Sequence, residues 1–271
     1  MPEQPALPYN YLAVNQTFWN NKTKFHADSA FYDVAGFLAG ATSLNPVELG
    51  LLGDLSGKKL LHLQCHFGQD TISLARLGAE ATGVDLSDTA IKLAGELAEK
   101  TGTDAKFICS DIYELPNVLN EKFDIVFTSY GTIGWLPDMD KWAAVIAKFL
   151  NPGGKFIFVD FHPVVWMFDY NFREVGYSYF NTGPIIETES GTYADRDAPI
   201  TQESVSWNHS MGEVITGLIH AGLEITSLGE YNWSPYNCFN ETEEYEPKKF
   251  RIKHLENKIP MVYSIVAALK S

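Results

Sequence analysis

The chain has 271 residues, 45% of them hydrophobic, enough to bury one large core and too few for a second complete domain. Its 34 acidic and 20 basic residues leave a formal charge of −14 at pH 7, which opposes binding to nucleic-acid phosphates or to anionic membranes. Cys65, Cys109 and Cys238 are odd in number and widely spaced, so no disulfide framework and no metal-ligand spacing is expected, and no stretch approaches about 18 consecutive apolar residues. The opening MPEQPALPYNYLAVN has no basic segment leading into an apolar run, so export is not expected and the cytoplasm is the default location.

Residues 11–41 are expected to form one or two helices, with Phe18, Trp19, Phe25, Phe31, Tyr32 and Phe37 as an aromatic underside. The Gly, Asn and Ser content of residues 36–55 then suggests a connector. Leu60, Leu61 and Leu63 read as a buried parallel strand running into the loop QCHFGQ, where Gly68 allows close approach of backbone to a ligand, and a helix follows. About twenty residues on, 81–84 form a second strand ending at Asp85, a carboxylate placed to accept both hydroxyls of a ribose. A third strand is expected over 107–111, ending at Asp111, and a fourth over 123–129.

In residues 138–150, Met139, Trp142, Val145, Ile146, Phe149 and Leu150 follow the three-and-four spacing of one apolar helix face. Asn151, Pro152, Gly153 and Gly154 should stop that helix before a fifth strand at 155–161. The long aromatic segment 163–205 is a candidate substrate cover. A helix at 209–220, a strand at 223–228 and a last strand at 261–269 complete the order. Between the last two strands, the acidic Glu241, Glu243, Glu244 and Glu246 and the basic run 248–254 are expected to be solvated surface.

LLHLQCHFGQD, GVDLS, SDI, FDIVFTS and FLNPGG, in this register, resemble the class I S-adenosylmethionine-dependent methyltransferases over residues 58–161. The resemblance implies an α/β, Rossmann-like, doubly wound sheet of seven mostly parallel strands, the last antiparallel. It divides the chain into an N-terminal helical cover (1–55), a cofactor-binding core (56–161), the insertion (163–205) and the C-terminal part of the sheet (206–271). S-adenosylmethionine would be the cofactor, S-adenosylhomocysteine its product and a small molecule the acceptor, with no nucleic acid or membrane as partner and the oligomeric state left open. In the family's first motif an acid and two glycines are replaced here by His62, Gln64 and His66, and Gly68 survives.

By position, the resemblance assigns the ribose to Asp85 with Leu86 and Ser87, and the adenine amine to Asp111 with Ile112. Gln64, Cys65, His66, Gly68 and Gln69 would surround the methionine part, with Ser129 and Tyr130 at the tip of the fourth strand and Trp19 and Trp135 as rings near the sulfonium. Tyr130, His162 and His209 are the candidate catalytic groups, the two histidines as bases for an acceptor that must lose a proton. Asp160 is expected to brace the neighbouring turn. Two rival readings remain: a nicotinamide-dependent dehydrogenase, whose G-x-G-x-x-G lacks two glycines here, and a non-catalytic cofactor-binding sensor or scaffold.

Overall fold

The computed structural model describes residues 10–270, so the first nine residues of the expected N-terminal cover lie outside the described residues. A seven-stranded sheet holds the molecule together: β1 (Lys59–Leu63), β2 (Glu80–Asp85), β3 (Lys106–Cys109), β4 (Phe123–Ser129), β5 (Leu150–Phe161), β8 (Leu223–Tyr231) and β11 (Val262–Leu269). Their order is β3-β2-β1-β4-β5-β11-β8. The first five strands run parallel, and β11 lies antiparallel to both β5 and β8. This is the doubly wound arrangement, and its strand order reverses between β1 and β4, where ligands bind at carboxyl ends.

Side-chain alternation along the strands builds a core on each face. Leu61, Leu63, Val126, Phe156 and Phe158 pack with Trp142, Ile146 and Leu218 from α7 (Met139–Phe149) and α8 (Met211–His220). Leu60, Ile125, Phe127 and Ile157 point the other way, against Leu52 of α3 (Pro46–Leu52) and Leu74 of α4 (Gln69–Arg76). A strand buried on both faces has no polar side to display, which is why β1 and β4 read as nearly unbroken apolar runs. α5 (Asp88–Thr101) and the short α6 (Leu115–Val118) complete the crossovers.

Several expected boundaries move. Residues 36–55 contain α3, begun by an Asn45–Glu48 capping box with Pro46 at its first turn, in addition to the end of α2 (Val34–Leu38). The third strand stops at Cys109, leaving Asp111 in the turn beyond it. α7 ends at Phe149, before the NPGG segment: Leu150 already pairs with Phe123, and pairing resumes with Lys155 opposite Ile125. Residues 151–154 are therefore a bulge at the start of β5, with Gly153 at φ 74°, so the glycines serve the strand entry more than the helix end.

Two insertions form hairpins. β6 (Ile185–Ser190) and β7 (Thr201–Ser206) pair antiparallel and lie against α1 (Tyr11–Asp28). Asn15 joins the two by giving its side-chain amide to Val205 O at 2.8 Å and accepting from Val205 N at 3.0 Å, as a strand neighbour would. The acidic and basic runs lie at the surface as expected, with Glu241, Glu244, Glu246 and Lys248 exposed, and in addition form the two strands β9 (Thr242–Glu246) and β10 (Lys249–Ile252) of one hairpin. Arg251 meets Glu243 at 2.9 Å and Lys249 meets Glu246 at 2.7 Å, so two cations of the one dense basic run are matched by carboxylates within its own hairpin.

Candidate functional site

A cavity of about 1220 Å³ opens over the carboxyl ends of β1, β2, β4 and β5, roofed by α1 and the β6–β7 hairpin. Its floor is the loop after β1. Gln64 (φ 56°) and His66 (φ 50°) both take the left-handed conformation natural to glycine, and Tyr130 (φ 42°) does so at the tip of β4. Such conformations cost roughly 1–3 kcal/mol each and persist where surrounding bonds impose them. Those bonds are present: Gln64 Nε2 donates to Thr132 O at 2.8 Å, and the His66 backbone N–H donates to Asp85 Oδ2 at 2.8 Å.

Asp85 lines the cavity from the tip of β2 and accepts a second backbone bond, from Ser87 N to Oδ1 at 2.8 Å. Burial outweighs these bonds and pushes its carboxyl up to about 6. Leu86, Asp111 and Ile112 also line the cavity. Burial likewise raises the Asp111 carboxyl. Ser87 does not reach it. Its hydroxyl caps α5 by accepting from Ala90 N at 3.0 Å and donates to Asn20 at 2.6 Å, so its part is to hold α1 over β2.

Gly68 begins α4 at φ 79°, and a Cβ there would lie 2.6 Å from Phe107 and 2.8 Å from Ala94. The glycine thus serves the packing of the loop onto β3 and α5, in addition to facing the cavity. Gln69 gives its amide to Tyr32 O at 2.9 Å. The His66 ring packs among Trp19, His26, Tyr32 and Phe67 at centroid distances of 5.5, 5.2, 5.3 and 4.4 Å. Burial holds it neutral, with its imidazolium pushed down to about 3. Trp19 and Trp135 meet edge to face at 5.2 Å and form one aromatic wall. Cys65 and Ser129 complete the floor.

The two candidate bases are placed differently. His162 faces away from the cavity: its Nδ1 accepts from Val164 N at 3.2 Å, which places the proton on Nε2, 3.0 Å from Glu230 Oε1. Its sequence neighbours Phe161 and Pro163 do line the cavity. His209 does line the cavity, but Nε2 donates to Leu136 O at 2.7 Å and Nδ1 lies 3.1 Å from Glu213. His62 is a buried strand residue bonded to Thr71 at 2.8 Å. Asp160 braces the turn after β4 through the amides of Gly131 and Thr132 and the Thr132 hydroxyl.

Four polar residues at the site were not singled out in the sequence. Asp70, in the first turn of α4, lines the cavity, is bonded by Ser129 Oγ at 3.2 Å and is raised by burial; among the described residues it has no cationic partner. Lys22, a cation of the same cavity, is paired with Glu189 at 3.0 Å. Glu48 accepts from Tyr130 Oη at 2.9 Å, and Tyr236 accepts from Asn45 Nδ2 at 2.8 Å. In sequence Asp70 looks like an ordinary first-turn acid and Glu48 like half of a capping box, so neither gives a distinguishing signal.

A family model described as "Methyltransferase domain" matches residues 60–154. The ubiquinone biosynthesis O-methyltransferase of Idiomarina loihiensis is 33% identical over 134 residues, which are 48% of this chain and 55% of that protein. The chain thus spans about half the length of the curated relatives it matches. In fold it is similar to an S-adenosylmethionine-dependent methyltransferase of Clostridium acetobutylicum, with a TM-score of 0.57 and 18% identity over 96% of this chain and 100% of that one. A second likeness, to a putative S-adenosylmethionine-dependent methyltransferase of Listeria monocytogenes, has a TM-score of 0.57 and 19% identity over 82% and 96% of the two chains.

Proposed function

We propose that this chain, whose residues 60–154 match the methyltransferase-domain model and whose fold is that of S-adenosylmethionine-dependent methyltransferases, is a class I enzyme that transfers a methyl group from that cofactor to a small-molecule acceptor. One observation carries the proposal: Asp70, Asp85 and Asp111 line a single cavity together with the Trp19–Trp135 wall. Three carboxylates and an aromatic wall suit a ligand carrying an ammonium, a sulfonium and a hydroxylated adenosine. They do not suit a pyrophosphate. The loop amides that a dinucleotide would need are also in use, His66 N on Asp85 and Gly68 N on Cys65 O.

When bound, the cofactor supplies an electrophilic methyl on a positively charged sulfur. Asp85 accepts the ribose hydroxyls with lone pairs its two backbone bonds leave free, and Asp111 accepts the adenine amine beside Ile112. Asp70 and Ser129 hold the ammonium, which supplies the negative charge that His62 cannot. Trp19 and Trp135 contribute about 0.5–2 kcal/mol of cation–π attraction at the sulfonium. α1 and the β6–β7 hairpin exclude water. Alignment in such an enclosure is worth roughly 7–11 kcal/mol toward an in-line displacement.

The name of the curated relatives supports a small organic acceptor, and the carboxylate-matched hairpin 242–252 supports the absence of a nucleic-acid partner. Among the described residues no helix is long and apolar enough to cross a membrane. The test is incubation with methyl-labelled S-adenosylmethionine and a cell metabolite extract. Labelled product supports the enzyme. Tight cofactor binding with no product across the extract would favour the sensor or scaffold.

A further inference from the structure

The methyl-transfer reading leaves a buried hydrogen-bonded chain at the edge of the cavity without a task. Glu48 is fully buried, with Oε1 accepting from Asn45 N at 2.6 Å and Oε2 accepting from Tyr130 Oη at 2.9 Å. Because its proton is committed to Glu48, Tyr130 offers a ligand only oxygen lone pairs. Tyr236 is the reverse. Its hydroxyl accepts from Asn45 Nδ2 at 2.8 Å and, among the described residues, its own proton has no acceptor, so it offers a donor. The two rings meet edge to face at 5.0 Å, and both line the cavity.

One acceptor and one donor side by side match a hydroxyl, which carries one of each. An ammonium has only donors and a carboxylate only acceptors, so either would leave one tyrosine unmatched. Building on the methyl transfer proposed above, we propose that Tyr130 and Tyr236 bind the acceptor's hydroxyl and that Tyr130 passes its proton to Glu48. As the O–C bond forms and the C–S bond breaks, the bonding pair stays on sulfur. The acceptor's proton moves to Tyr130 Oη while the proton of Tyr130 moves to the Glu48 carboxylate. Tyr130 is the catalytic residue, and Glu48 acts through it.

The groups facing Glu48 are Asn45 on its own helix border, Asp70 from α4, Tyr130 after β4 and Tyr236 from the loop before β9. None is cationic. Burial first, and Asp70 second, push the Glu48 carboxyl up to about 7, where a group takes and returns protons readily at neutral pH.

The test uses methyl-¹³C S-adenosylmethionine and a cell metabolite extract with the wild-type protein, Glu48→Gln and Tyr130→Phe. Glutamine keeps the capping box, since its amide oxygen still accepts from Asn45 N. We expect the label on an oxygen of the product. Both variants should form it roughly 10²–10⁴-fold more slowly and lose the rise in rate through about pH 7, while calorimetry gives wild-type affinity for S-adenosylhomocysteine. Label on nitrogen, sulfur or carbon, or an unchanged pH profile in both variants, overturns the relay and leaves methyl transfer standing. Absence of cofactor binding or of any product by the wild-type protein overturns methyl transfer itself, and the relay with it.

Discussion

The backbone N–H of His66 donates to Asp85 Oδ2 at 2.8 Å, tying the loop after the first strand to the tip of the second. One carboxylate therefore shapes the floor of the cavity and presents its remaining lone pairs to whatever enters. This bond, with that from Gln64 to Thr132 O, holds two left-handed residues where glycines would sit without strain.

Asp70 is assigned to the methionine ammonium, so its removal should be felt only by ligands that carry one. Asp70→Asn is predicted to weaken S-adenosylmethionine roughly 10-fold or more, the scale of a charged hydrogen bond of 1.5–3 kcal/mol, and to leave 5′-methylthioadenosine binding unchanged. Calorimetry with the two ligands checks it. Equal losses for both would move Asp70 out of that role.

Glu48 should tilt the pH dependence of stability. The unfolded chain releases this proton near 4.5 and the folded chain holds it to about 7, so the folded state binds more protons in that window. Stability contributed by this group therefore falls as pH rises from 4.5 to about 7, reaching a penalty of about 3 kcal/mol above it. Glu48→Gln should be more stable than the wild type at pH 8 by that order, with the gain fading at pH 4. Urea unfolding at both pH values measures it, and a pH-independent difference would contradict the assignment.

Gly68→Ala brings a Cβ within 2.6 Å of Phe107 at a backbone φ of 79°. A loss of about 1–3 kcal/mol is predicted by thermal unfolding, from strain and overpacking together. An unchanged melting temperature would mean that the ring of Phe107 swings aside freely.

His162→Gln is predicted to leave methyl transfer within about twofold of wild type, because the imidazole is spent on Val164 N and Glu230 and does not face the cavity. A loss of the 10²–10⁴-fold expected for a removed general base would reinstate it as catalytic.

Much of this architecture was legible because it rests on period-two and three-and-four apolar spacing. β4 begins and ends where FDIVFTS predicts, and the apolar face of α7 is buried at Met139, Trp142, Val145, Ile146 and Phe149. Short-range signals were incomplete where one composition serves two contexts. NPGG follows the end of α7 as a helix stop should and also bulges the start of β5, and EETEEYEP with KKFRIKH carry surface charge and also pair across a hairpin. At the site, residue type located the carboxylates at strand tips, but side-chain direction was hidden. One step past the end of β5 separates Phe161, which lines the cavity, from His162, which does not. Glu48, Tyr130 and Tyr236 come from α3 and two distant loops, a convergence that no local pattern encodes.

The central claim is that Asp85 grips an adenosine through its ribose, and calorimetry of S-adenosylhomocysteine with the wild-type protein and Asp85→Asn tests it most directly. Asn keeps the shape of the side chain and loses the charge, and a roughly 10-fold to 100-fold weaker affinity is predicted, consistent with a charged hydrogen bond of about 1.5–3 kcal/mol. Because burial raises this carboxyl to about 6, wild-type affinity should also fall as the pH drops below that value, and the variant should lack the dependence. Equal affinity for the two proteins at pH 7.5 would contradict the account.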